Sequence, residues 1–296
     1  VIGLLATRPL PPGEPSRVPT LHGLLWLQQG FRVFTAQPGR WIVVLGLWLW
    51  LTIVLPGLLA QGLDYVRQAG QLALRPLGMS DSLGDALQVL PLLAPLAMML
   101  LFPLFFAGLM VGCRAVVKGE RLLPRHLLAA FEFEPSRLVT VGGINAMGQI
   151  LMSAAIAWLI RDRLGDLDLT VPADPQKAAV LLGRLSELMP YLLPVVILQT
   201  LLMAALWFTP PLLAFHDLSP LGAVRASTLA CTRNAGTMLV YSAAMIVMLM
   251  FVGAVSLVMQ AGIVFGLIAL LVLAAAVTTV IGSIYMSYRD IFGISD

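Results

Sequence analysis

The chain alternates between two textures. Apolar runs of bilayer length occur six times, and a short stretch mixing aromatic residues with arginine, glutamine or proline precedes every second run. The runs are 41–60, 90–113, 138–160, 189–215, 237–260 and 261–288. Each approaches or exceeds the ~20 mostly apolar residues that a membrane-crossing helix needs. Only Gln260, Ala261 and Gly262 mark a break between the last two. Their joined length is about twice what a bilayer core accommodates, so the pattern predicts a tight hairpin and not one long helix. The fold class that follows is an all-α membrane protein: six transmembrane helices with amphipathic interfacial helices.

The short stretches have their own periodicity. Over 21–36, helical spacing gathers Leu24, Leu27, Phe31 and Phe34 on one face. His22, Gln29, Arg32 and Ala36 share the opposite face, while Leu25, Trp26 and Val33 interrupt the pattern. A short helix with an aromatic apolar face and an arginine on its wet face suits the membrane surface. Pro38 then ends it and turns the chain into the bilayer, with Arg40 extended towards the headgroups.

The same device returns. Phe34-x3-Pro38-x-Arg40 is repeated 97 residues later as Phe131-x3-Pro135-x-Arg137, and Pro91-x3-Pro95 is repeated 99 residues later as Pro190-x3-Pro194. A third copy starts with Ser219 as N-cap and Pro220 at the first helical position, and stops at Asn234-Ala235-Gly236. The expected organisation is a flexible lead-in over 1–20, then one transmembrane domain of three helix-plus-hairpin units, about 21–120, 121–218 and 219–292. The middle copy differs: Glu132 and Glu134 stand where the first has Thr35 and Gln37. Carboxylates match anionic lipid poorly, so this surface helix is the one expected to meet a protein partner.

Composition agrees with a lipid-solvated chain. Of 296 residues, 59% are hydrophobic and 11% charged, against about 25% charged in soluble domains. Twelve of the 18 basic residues fall on the side of the termini and six on the other, which predicts that both termini are cytoplasmic. Acidic residues such as Asp64, Asp162, Asp168 and Glu187 fall on the opposite side. No basic run carries interleaved aromatics, so nucleic acid is not an expected partner. The two cysteines, Cys113 and Cys231, read as small apolar residues on the reducing side.

Candidate chemistry is sparse. No ionisable residue lies deep in a predicted span. Asn145, Gln149 and Ser153 recur every fourth residue and form one stripe on the third span, and Gln199 lies on the fourth. Such a stripe either lines a polar intramembrane site or hydrogen-bonds neighbouring helices. His22, His126 and His216 are scattered, so no metal or haem ligation is expected, nor any other cofactor. No P-loop, zinc-protease helix or nucleophile elbow occurs, which argues against an enzyme. Gly108-x3-Gly112 and Gly262-x3-Gly266 offer close helix packing. Prolines in the second and fourth spans can open a groove between them.

Four stretches, WLQQGFRVFTAQPGRW, AGLMVGCRAVVKGE, SPLGAVRASTLACTRN and YMSYRDIFG, resemble an uncharacterised family of proteobacterial polytopic inner-membrane proteins. More loosely, they resemble the membrane domain attached to some glycerophosphodiester phosphodiesterases. The resemblance runs over about 21–293 and implies an inner-membrane helical bundle. It carries over no functional residue, and the chain has no phosphodiesterase catalytic domain. The expected role is a non-catalytic accessory, assembly or scaffold subunit, with membrane lipids and other membrane subunits as partners. The alternative is a carrier or lipid-handling protein that uses the groove between the proline-bearing helices.

Overall fold

A computed structural model describes residues 13–74, 90–132, 135–164, 175–258 and 263–294, and these form helices and turns without any strand. The described helices are α1 (His22–Ala36), α2 (Pro38–Leu49), α3 (Leu55–Leu74), α4 (Leu90–Val117), α5 (Arg125–Leu128), α6 (Pro135–Leu164), α7 (Pro175–Trp207), α8 (Thr209–Phe215), α9 (Pro220–Arg233), α10 (Ala235–Val258) and α11 (Ile263–Phe292). A π-helical turn, Trp50–Val54, joins α2 to α3, so the two run as one rod. Six stretches are long and apolar enough to cross a membrane: Pro38–Gly70, Pro91–Val117, Pro135–Trp158, Met189–Phe215, Ala235–Val255 and Gly266–Phe292. The first continues past its predicted end at Ala60. Asp64 accepts hydrogen bonds from Arg67 and Gln68 at 2.7 Å each, so the polar residues beyond the apolar run are satisfied along the helix itself.

Proline and small polar residues set the joints. Pro38 opens α2 and Pro135 opens α6. Ser219 caps α9, its hydroxyl accepting the Gly222 amide at 3.1 Å, with Pro220 in the first turn. Between α7 and α8 the helix breaks at Phe208, ahead of Pro210 and Pro211. The Ser227 hydroxyl spans that break: it accepts the Phe208 amide at 3.0 Å and donates to the Ala204 carbonyl at 2.7 Å. α4 and α11 end on Gly119 (φ 77°) and Gly293 (φ 63°). The following amides, Glu120 and Ile294, return to the carbonyls of Ala115 and Arg289 at 2.8 and 2.9 Å, the geometry that left-handed glycine permits at a helix end.

The core lies at one end. The end that carries Ser16 and Gly293 is called proximal below. Among the described residues, nearly all buried apolar side chains sit there, on α1, the start of α2, the second half of α4, α8, α9 and the last turns of α11, and few, such as Pro56, Ala94 and Val252, are buried towards the other, distal end. Trp26, Trp41, Tyr241, Tyr285, Tyr288 and Phe208 are its largest fully buried members.

The α1 surface reading needs correction. Its buried face is Gly23, Trp26, Gly30, Val33 and Phe34, so two of the residues that interrupt the amphipathic pattern, Trp26 and Val33, define the packing face. Leu24 and Phe31, expected to share the apolar face with Phe34, are about half exposed. The reason is backbone proximity. Gly30 lies against the Thr279 carbonyl and Ser283, Gly282 lies against the Gly30 backbone, and a Cβ on Gly23 would sit 2.8 Å from the Thr237 carbonyl. Glycines at both faces let α1 seat on α10 and α11 as closely as membrane helices do.

The lead-in is anchored over part of its length. The Ser16 amide and hydroxyl both donate to the Ile291 carbonyl at 2.8 Å. Asn234 accepts the Val18 amide at 2.9 Å and donates to the Ser16 carbonyl at 3.0 Å. The stop residue of α9 thereby ties the extended segment to the bundle.

Candidate functional site

Among the described residues, two concavities stand out. The first is a proximal cleft of about 700 Å³ between α1 and the ends of α4 and α11. The face of α1 that lines it includes His22, Gln29, Arg32 and Ala36, the wet face expected from the sequence. From α11 come Met286, Arg289 and Asp290, and from α4 Val116 and Val117. Asp290 Oδ2 receives two hydrogen-bond contacts, from the Trp26 indole N–H and from His22 Nδ1, both at 2.8 Å. Arg289 donates its Nε–H to the Ile294 carbonyl at 3.4 Å, next to the glycine that ends α11.

The second concavity, about 480 Å³, lies within the membrane-length part of the bundle. Thr52, Ile53 and Pro56 of the first span, Pro95 and Phe102 of the second, and Asn145 of the third line it. It therefore opens between the first three spans, not between the second and fourth as expected. In the fourth span, α7 packs chiefly on α6 and α9, and α8 meets the second span. The Asn145 Oδ1 is buried without a hydrogen-bond partner.

The other sequence candidates disperse. Gln149 and Gln199 are half-buried and Ser153 is exposed, and none of the three lines the cavity with Asn145. Gly108 does admit a close approach, but its partner is the backbone of His126 and Leu127 at α5, not another span, and Gly112 faces Leu122 beside it. Gly266 faces open space, which corrects the expected packing there, and Gly262 lies outside the described residues. Arg40 donates to Gln37 at 2.9 Å on the exposed surface, and the same Gln37 Oε1 accepts the Leu122 amide. Arg137 pairs with Asp217 at 2.6 Å and donates to the Leu218 carbonyl, so a partner at the joint of α8 and α9 holds it. Glu132 is exposed, and Glu134 lies outside the described residues.

His126, His216 and the two cysteines sit within the packed core. The amide of Leu123 donates to His126 Nδ1 at 3.3 Å, a contact that requires an unprotonated nitrogen. Burial and then the charge of Arg125 push the His126 pKa below the ordinary histidine value, against the pull of Glu120. His216 Nε2 meets the Tyr288 hydroxyl at 2.6 Å in the core. Both cysteines are buried and unpaired, and burial pushes the Cys231 thiol up to about 12. Among the described residues, no three of His, Cys, Asp or Glu gather as a metal site.

Sequence reasoning missed the Asp290 site. Its partners are 264 and 268 residues away. One signal existed: the four stretches that carry the family resemblance, 26–41, 107–120, 219–234 and 285–293, all fall at the proximal end, and three of them contribute to the cleft.

Comparison with known proteins adds one relative. The chain is 26% identical over 220 residues to a protein of Burkholderia thailandensis described as a probable inner membrane protein, covering 70% of this chain and 79% of the relative. No protein-family pattern matches, and no solved structure matches. Nothing in these comparisons links the chain to glycerophosphodiester phosphodiesterases.

Proposed function

We propose that the protein is a non-catalytic subunit of the bacterial inner membrane that scaffolds or helps assemble a larger membrane complex, with both termini in the cytoplasm. One observation carries the reading. In its most apolar stretch the second span is 50% buried, whereas the fourth and fifth are each 11% buried. Helices anchored this firmly at one end and left this open along their length offer surface to other transmembrane helices, where close packing and not hydrophobic burial drives association. The inner-membrane placement is supported by the six apolar spans and by the description of the relative. The cytoplasmic placement of the proximal end rests on the twelve-to-six distribution of basic residues. Beside α5, Leu128, Phe131 and Glu132 are exposed together, a mixed surface suited to a protein neighbour.

Gentle extraction from the native membrane into polymer-bounded discs tests this. A protein partner in fixed stoichiometry is the expected result. A solitary protein carrying ordered lipid or solute in the cavity between the first three spans would overturn it in favour of the second reading, a carrier or lipid-handling protein. The unpartnered Asn145 Oδ1 in that cavity is the observation behind that alternative. A carrier that uses it loses transport when Asn145→Leu and Gln149→Leu are combined, and a scaffold keeps its partner.

A further inference from the structure

The proximal cleft has a composition that core packing does not account for. It holds two arginines against one aspartate, and the aspartate is already engaged: Asp290 Oδ2 is held by the Trp26 indole and by His22. With His22 counted neutral, the ionisable lining is net positive. The Arg32 guanidinium is exposed and has no hydrogen-bond or ion-pair partner among the described residues. Gln29, one turn earlier on the same face of α1, adds an amide donor. Opposite stands Arg289, oriented by its own helix end.

The rest of the lining is apolar: Leu25, Val33, Val116, Val117 and Ile294. A cleft for a small hydrated anion would have no use for that wall. Depth is the second argument. The span Pro91–Val117 has 27 residues. At ~1.5 Å per residue it is roughly 40 Å long, about 10 Å more than the ~30 Å hydrocarbon core. Gly266–Phe292 has the same length; shared between its two ends, that excess carries the ends of α4 and α11 roughly 5 Å past the hydrocarbon core into the headgroup layer, and the cleft lies beside them.

We propose that this cleft binds the phosphate of an anionic phospholipid, gripped by Arg32 and Arg289, with the glycerol and upper acyl carbons against the apolar wall. Arginine suits the task because its planar fork matches two phosphate oxygens at once. The inference goes beyond the scaffold reading and does not depend on it: the headgroup site needs no partner subunit.

The test uses the full chain reconstituted in phosphatidylcholine discs with or without phosphatidylglycerol, followed by graded delipidation and native mass spectrometry. Wild-type protein is expected to retain phosphatidylglycerol over phosphatidylcholine. Arg32→Gln should lower that retention about tenfold, the effect of losing one charge-assisted contact. Arg32→Lys should fall between the two, and Arg40→Gln, outside the cleft, should match wild type. Because Arg32 is exposed and unpaired, the fold should survive; unchanged elution on size exclusion checks this, and Arg32→Lys carries the comparison if Arg32→Gln aggregates. Equal retention in wild type and the Arg32 variants would sink the proposal. Inorganic phosphate that binds lipid-free protein and displaces the lipid at low millimolar concentration would overturn the lipid as its source.

Discussion

The proximal and distal ends of the same helices obey different rules. At the proximal end, backbones touch through Gly23, Gly30, Gly108 and Gly282, and side-chain hydrogen bonds join positions more than 200 residues apart. Towards the distal end, Gly57 and Gly266 have nothing within reach of an added Cβ, and Leu58, Leu59, Met250, Phe251 and Leu267 are exposed. The difference shows where membrane helices derive specificity. Lipid tails are as apolar as leucine, so an exposed Leu58 gains little from finding a partner, whereas a glycine seat or a satisfied polar pair distinguishes one neighbour from another.

Substitutions that reverse the glycine seat should separate the ends most sharply. Gly30→Val would drive methyl groups into the Thr279 carbonyl and Ser283, lifting α1 off α11. Beyond the usual ~1–3 kcal/mol of overpacking, the contacts of Trp26 and Val33 go with it. No monodisperse peak should survive on fluorescence-detected size exclusion, while Gly57→Ala and Gly266→Ala should elute as wild type. Trp26→Ala empties a fully buried site and removes a donor from Asp290, at a cost of about 3–5 kcal/mol. Its melting temperature in detergent should fall markedly, and Trp50→Ala, exposed on the π-helical turn, should barely move it. Asn234→Ala frees the Val18 amide and the Ser16 carbonyl, costing about 1–3 kcal/mol. Limited proteolysis should then cut within 13–20 first.

The smallest effect is a pH dependence confined to the proximal end. His126 titrates lower in the folded protein than its unfolded value of 6.5. The unfolded chain therefore binds more protons as pH falls through 6.5, and folded stability drops until the depressed folded value is reached. Hydrogen exchange at 122–131 should rise on acidification over that range. His126→Gln should flatten the profile, and a profile unchanged by it would remove this histidine from the account.

The spans were legible because hydropathy and length act locally: each membrane-length run reads as a helix without reference to the others. Joints at Pro38, Pro135 and Ser219 were legible for the same reason. The face of α1 was not. Its pattern of Leu24, Leu27 and Phe31 is what an isolated helix would show to lipid, and only the neighbours reveal that Gly23 and Gly30, with no side chain to count, mark the tight side. The polar stripe misled in the opposite way. Asn145, Gln149 and Ser153 do share a helix face, but which part of that face meets a cavity depends on helix tilt and crossing, and only Asn145 does. The Gly262 and Gly266 spacing fitted a packing motif that occurs by chance wherever glycine is common in apolar helices.

The bond from the Trp26 indole to Asp290 spans 264 residues, and this sets a timetable. At ~5–20 residues per second, synthesis of the partner lags by tens of seconds. α1 is made well before α10 and α11, against which it seats. Throughout that interval its indole, its glycine seat and its carboxylate-binding histidine have no counterpart. The exposed pair Leu24 and Phe31 remains free to hold lipid. The amphipathic pattern then describes the waiting molecule, and the Gly30 seat the finished one. A chain truncated before α10 should accordingly leave α1 accessible to protease from the side of the termini, whatever the state of the first four spans.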